Sequence, residues 1–158
     1  MKTYKSKIKE FSLVKNKTDF NKVKITGSMT AAKYSRNFYQ TDIGIYESFF
    51  MMMLNNQNNT IGYVKISQGG ISGTLVDVRI LAKYAIESLC SAVILVHNHP
   101  SGSLKPSNAD RDITKKIKDT LNLFDVRVLD HIIIIEKEDN VQEEDLKTYF
   151  SFADNGEL

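Results

Sequence analysis

The chain has 158 residues, 42% hydrophobic and 25% charged, which is the balance of one globular domain able to bury a core without covalent staples. A single cysteine, Cys90, excludes an intramolecular disulfide and a cysteine-built zinc cluster; no apolar run approaches bilayer length and no basic-then-apolar leader opens the sequence, so a cytoplasmic protein with no membrane partner is expected. The net charge of +2 is lopsided, because residues 1 to 36 carry nine lysines and Arg36 against Glu10 and Asp19, a local +8 that leaves −6 on the rest.

Residues 1–27 form a basic segment with short apolar beads (Ile8, Phe11, Leu13, Val23, Ile25), which suggests one or two peripheral strands. Such a segment suits a solvated arm, or an arm that approaches nucleic acid. Its lysines are not interleaved with a stacking surface, so charge alone does not make a nucleic-acid binder. Residues 28–158 then read as the folded domain. A helix is expected over 28–39, with Ser28 or Thr30 as its N-cap. Ile43 to Leu54 contains FFMMML, apolar on both faces, the pattern of a strand buried within a sheet. NNQNN (55–59) is a turn and TIGYVKIS (60–67) the returning strand of a hairpin.

GGISG (69–73) is a glycine-rich connection, after which Leu81, Ala85 and Leu89 mark a helix over 77–89. AVILV (92–96) is a short apolar strand ending at His97. Ile113, Ile117 and Leu121 mark a helix over about 108–123. VRVL (126–129) and IIIIE (132–136) read as two further strands, 143–145 as an acidic surface segment, and TYFSF (148–152) as a last edge strand. Strands alternating with helices around one hairpin define an α/β fold with a mixed sheet flanked by helices.

The stretch HNHPSGSLKPSNAD (97–110) holds two of the three histidines. Side chains two apart in an extended segment point the same way, so His97 and His99 can converge on one ion. Pro100-Ser101-Gly102 supplies a turn, and the chain can return Asp110, at the opening of a helix, to the two imidazoles. Two neutral imidazoles and one carboxylate are an open zinc set, with a fourth position for water. Hydrolysis also needs a base, and Glu47 is the best candidate: it precedes a buried strand that, if antiparallel to AVILV, starts near the emerging histidines.

Each of these residues also has a purely structural reading. Ser107 and Asp110 form S-x-x-D, which backbone capping explains by itself. His131 reads as a hydrogen-bonded partner of Asp130 or of a backbone carbonyl. Cys90 and Met51 to Met53 read as core. Asn98 is the member of the HNH triplet least suited to a metal.

Glu47 followed by H-x-H, seven residues and S-x-x-D resembles the JAMM (JAB/MPN-type) metalloprotease motif. HNHPSG, with ESFFMMMLNNQN (47–58), GGISGTLVDVR (69–79), VRVLDHIII (126–134) and YFSFADNG (149–156), is more narrowly similar to the bacterial RadC family. The resemblance implies a JAB/MPN fold akin to that of the cytidine deaminases, zinc on His97, His99 and Asp110, Glu47 as general acid/base, and Ser107 at the oxyanion or the attacking water. It also implies a peptide or protein substrate cleaved at a peptide or isopeptide bond. The RadC label of DNA repair implies a second class of function, an accessory that contacts DNA. Full-length RadC proteins usually add a helix-hairpin-helix domain for which this sequence has no room, and where many relatives have P-R-E it has Val78-Arg79-Ile80.

Three other classes fit less well. A nuclease of the HNH type disperses its H, N and H over a ββα element, whereas here they are consecutive. A zinc deaminase needs H-x-E and P-C-x-x-C, which the sequence lacks. A silent binding module would not need the complete set of Glu47, His97, His99, Ser107 and Asp110.

Overall fold

The computed structural model describes residues 12–39, 41–69, 75–136 and 148–158. Five strands build one mixed sheet: β1 (Ser48–Leu54), β2 (Thr60–Gln68), β3 (Ala92–Asn98), β4 (Arg127–Ile134) and β5 (Tyr149–Ser151), in the order β2-β1-β3-β4-β5. Only β3 and β4 are parallel, joined through α3 (Asn108–Asn122); every other pair is antiparallel. Among the described residues no helix is long and apolar enough to cross a membrane.

The apolar runs of β1 and β3 are buried throughout because helices cover both faces. Strand alternation sorts their side chains. Phe50, Met52 and Leu54, with Ile94 and Val96, meet α1 (Ser28–Ser35) and the short 3-10 turn Arg36–Phe38. Phe49, Met51 and Met53, with Val93 and Leu95, meet α2 (Val78–Glu87) and α3 through Leu81, Ala85, Ile117 and Leu121. Parity therefore puts His97 on the α3 face and Asn98 on the α1 face. Burying each large apolar side chain contributes about 1.5–3 kcal/mol, so both faces fix the sheet firmly beneath the site.

Several expectations are corrected. VRVL and IIIIE are one strand, β4, whose register against β3 steps from Val93↔Val128 to Ile94↔Asp130. Leu129 is the extra residue of a β-bulge, and the bulge turns His131 to the α3 face. Asp130 stays in the sheet because it is fully partnered: its Oδ1 accepts from the His131 and Ala153 N–H groups and its Oδ2 from the Ser151 hydroxyl. Burial raises the Asp130 pKa, and those three bonds only partly oppose it. Residues 43–47 are turns and bends rather than the start of β1.

Of the expected N-terminal strands, the described part contributes one isolated bridge, Lys24↔Asn59. The α1 N-cap is Gly27 rather than Ser28 or Thr30; Ser28 instead donates to Asp154, and Thr30 bonds Thr26. The hairpin turn forms as expected, with Asn55 Oδ1 accepting the N–H groups of Gln57 and Asn59 and Asn58 at φ 60°. Most of GGISG and the acidic segment 143–145 lie outside the described residues.

Candidate metal centre

The site forms where β3 runs out between β1 and β4. His97, paired in register with Phe49 and Ile133, is buried under the Phe49 ring, which lies nearly parallel to it at 5.9 Å. Its Nδ1 lies 2.8 Å from His131 Nε2, which leaves Nε2 facing the cleft. His99 sits just past the strand, its backbone N–H bonded to the Ile134 carbonyl. The chain then turns back through a His99-to-Gly102 bond, with Gly102 at φ 76°, a value glycine adopts without strain. That turn brings the Ser103 carbonyl 2.7 Å from His99 Nδ1. A carbonyl only accepts, so His99 Nδ1 carries the hydrogen and a neutral His99 presents a bare Nε2.

Asp110 arrives on the first turn of α3. Ser107 caps that helix, its Oγ accepting from the Asp110 N–H, and Asp110 Oδ2 receives both the Ser107 N–H and the Ser107 hydroxyl at 2.7 Å. The box occupies Oδ2 and leaves Oδ1 turned inward, 3.2 Å from His97 Nε2. Oδ2 thus serves the cap while lying 3.6 Å from His99 Nε2, and Oδ1 stays free of the cap and faces His97. Arg111 steadies the approach to the helix by donating to the Pro106 and Ser107 carbonyls while paired with Glu157.

The two imidazole Nε2 atoms lie 2.9 Å apart, and ligand atoms of His97, His99 and Asp110 all fall within 4.8 Å of one another. Acceptor atoms crowded this closely repel unless a cation or proton lies among them. The spacing suits a tetrahedral zinc, whose ligand atoms about 2.0–2.1 Å from the ion stand roughly 3.3 Å apart. Ionisation reports the same demand for positive charge. Burial pulls His99 down, yet its bonds to Asp110 and Ser103, with the charges of Asp110 and Glu47, leave its pKa raised. Burial pushes Asp110 up, but the two imidazoles and Ser107 hold it far below the usual carboxylate range.

A cleft of about 610 Å³ opens over the cluster, walled by Phe49, Leu75, Val76 and Ile113 on its apolar side and by Glu47, Ser103 and Ser107 among its polar residues. All five residues expected at the site thus line one cavity. Glu47 is half-buried, one residue before β1. Its position is set by Asn98, between the two histidines and fully buried. Asn98 Oδ1 accepts the Ser48 N–H at 2.8 Å, while its Nδ2 donates to the Ile43 and Tyr46 carbonyls. The middle letter of HNH is a brace for the Glu47 segment.

His131 departs from expectation. Its side chain bonds His97 and, at 2.5 Å, Thr114 Oγ1, whereas only its backbone meets Asp130. It is completely buried, stacked on Phe152, and desolvation, more than the neighbouring charges, holds its pKa well below the usual value. Thr114 escaped notice in the sequence, although it stands four residues after Asp110 and therefore on the same face of α3.

A family model described as "RadC-like JAB domain" matches residues 25–157. Curated proteins named "UPF0758 protein" are similar to the chain. The one from Flavobacterium johnsoniae is 43% identical over 130 residues, 81% of this chain and 52% of its own length. The one from Vibrio cholerae is 42% identical over 67% of this chain and 69% of its own length. That from Porphyromonas gingivalis is 38% identical over 71% and 45%. The chain thus spans about half the length of the first of these relatives.

Asn98→Ala would strand the Ser48 N–H and leave the Ile43 and Tyr46 carbonyls short of a donor. It is expected to cost about 2–4 kcal/mol in urea denaturation, and amide exchange should show Ser48 losing protection first.

Proposed function

The chain belongs to the RadC-like JAB domain family, and we propose that it is a zinc-dependent hydrolase that cleaves a peptide or isopeptide bond. The observation that supports this most is the convergence of two imidazole Nε2 atoms and one carboxylate oxygen at the floor of an open cleft. His97, His99 and Asp110 would hold a zinc ion, which when bound lowers the pKa of a water from about 15.7 toward 7 and polarises a carbonyl oxygen.

The chain's own residues do the rest. Glu47, on the cleft wall, accepts the proton of the attacking water and passes it to the departing nitrogen, a role that supplies about 10²–10⁴-fold in rate. Ser107 donates its one hydroxyl hydrogen to Asp110 Oδ2 and so orients that carboxylate, and a second role at a developing oxyanion would require this bond to be released during the reaction. Phe49, Val76 and Ile113 give the cleft a low-dielectric wall, which strengthens each of these interactions.

Protein purified without chelator is expected to carry one zinc per chain by elemental analysis. His97→Ala and His99→Ala should empty the site. Glu47→Gln should retain zinc while losing at least about 100-fold in cleavage of peptides or isopeptide conjugates found by mass-spectrometric profiling. Protein that neither carries zinc nor takes it up would overturn the reading.

A second reading, a DNA-associated repair or recombination accessory, draws on the exposed Lys15, Lys17, Lys22 and Lys24. It requires duplex affinity that falls steeply with salt and drops when these four become glutamine; unchanged affinity in that variant would remove it.

A further inference from the structure

Behind the metal centre lies a chain of hydrogen bonds whose direction the donor inventory fixes. Thr114 Oγ1 lies 2.5 Å from the backbone carbonyl of Asp110 and 2.5 Å from His131 Nδ1. The carbonyl can only accept, so the threonine hydrogen points to Asp110. Thr114 Oγ1 must then accept from His131, which places a hydrogen on His131 Nδ1. His131 is fully buried against the rings of Phe49 and Phe152, where the neutral imidazole is the stable form. Its Nε2 is therefore bare and accepts from His97 Nδ1–H at 2.8 Å. A neutral His97 with its hydrogen on Nδ1 presents a lone pair on Nε2, the atom that faces His99 and Asp110.

We propose that Thr114 and His131 are positioning residues that lock His97 in the metal-binding tautomer and tie that choice to the seat of Asp110. The circuit closes on itself. It starts at the backbone of one ligand, Asp110, crosses from α3 to β4 through Thr114 and His131, and ends on the other ligand, His97, in β3. Without the threonine hydroxyl, His131 loses the acceptor for Nδ1–H, and its hydrogen moves to Nε2 to donate to His97. That reverses His97, placing a hydrogen on the Nε2 that should bind the cation. The proposal rests on the metal-binding reading of the cluster and adds the device that prepares it.

The test compares wild type with Thr114→Val and Thr114→Ser, each checked for unchanged thermal unfolding. Nitrogen-15 NMR of the zinc-free protein should find His131 protonated on Nδ1 and bare on Nε2 in wild type and Thr114→Ser. The hydrogen should shift to Nε2 in Thr114→Val. Zinc affinity, measured by competition with a chromogenic chelator, should fall about 10–100-fold in Thr114→Val, the usual effect of losing an outer-shell partner, and return in Thr114→Ser. A wild-type His131 with its hydrogen on Nε2 overturns the proposal, as does a Thr114→Val variant that binds zinc as tightly as wild type. If wild type itself binds no zinc, the hydrolase reading falls, and the tautomer comparison alone decides whether the lock exists.

Discussion

Two imidazole nitrogens 2.9 Å apart, with a carboxylate oxygen 3.2 Å from one of them, meet without repulsion only when a proton or a cation lies among them. Everything near the end of β3 serves to impose it. The parity of β3 drives His97 toward α3, the His99–Gly102 turn folds the second imidazole back, and the helix cap delivers Asp110 with one oxygen already engaged. Each of these is strong for local reasons, since strands, turns and capped helices form whether or not an ion is present. The fold thus gathers the three groups in advance, so that a cation entering among them would find its donors already placed.

The two walls of the cleft are built differently. The ligand side is cemented by the sheet, by the capping box and by the Arg111–Glu157 pair that clamps the approach to α3. The Glu47 side has no regular structure until Ser48 and is held by the Asn98 amide, by turn bonds to the Asp42 carbonyl and by the Gly69 N–H on the Glu47 carbonyl. Asn98 couples the two sides because its neighbours in sequence are His97 and His99 and its hydrogen bonds go to the segment that carries Glu47.

The candidate cluster was legible because it is local in sequence. H-x-H on an extended segment and S-x-x-D at a helix start each carry their geometry in a few residues, and Glu47 was expected nearby on the condition, met here, that β1 runs antiparallel to β3. What the sequence concealed was of longer range. The β4 bulge looks like a break between two strands, since one extra residue ruins the alternation while the ladder continues. Ile43 and Ile45 mimic the lead-in of a strand, whereas the Ile45 and Tyr46 N–H groups turn the segment onto the Asp42 carbonyl and a side chain some fifty positions away braces it. His131 and Thr114 come from different elements and meet only once the bulge has set the facing of His131. Asn98, set aside as a ligand, gave no sign of its bracing role, because its burial and its three bonds are tertiary facts.

The most direct test of the central claim is zinc K-edge X-ray absorption on the intact chain loaded with one equivalent of zinc. The account predicts a four-coordinate ion with two imidazole shells, light O/N scatterers for the remainder, and no sulfur, with all bonds near 2.0–2.1 Å. A spectrum without imidazole scattering, or one in which Cys90 supplies a sulfur at about 2.3 Å, would contradict it.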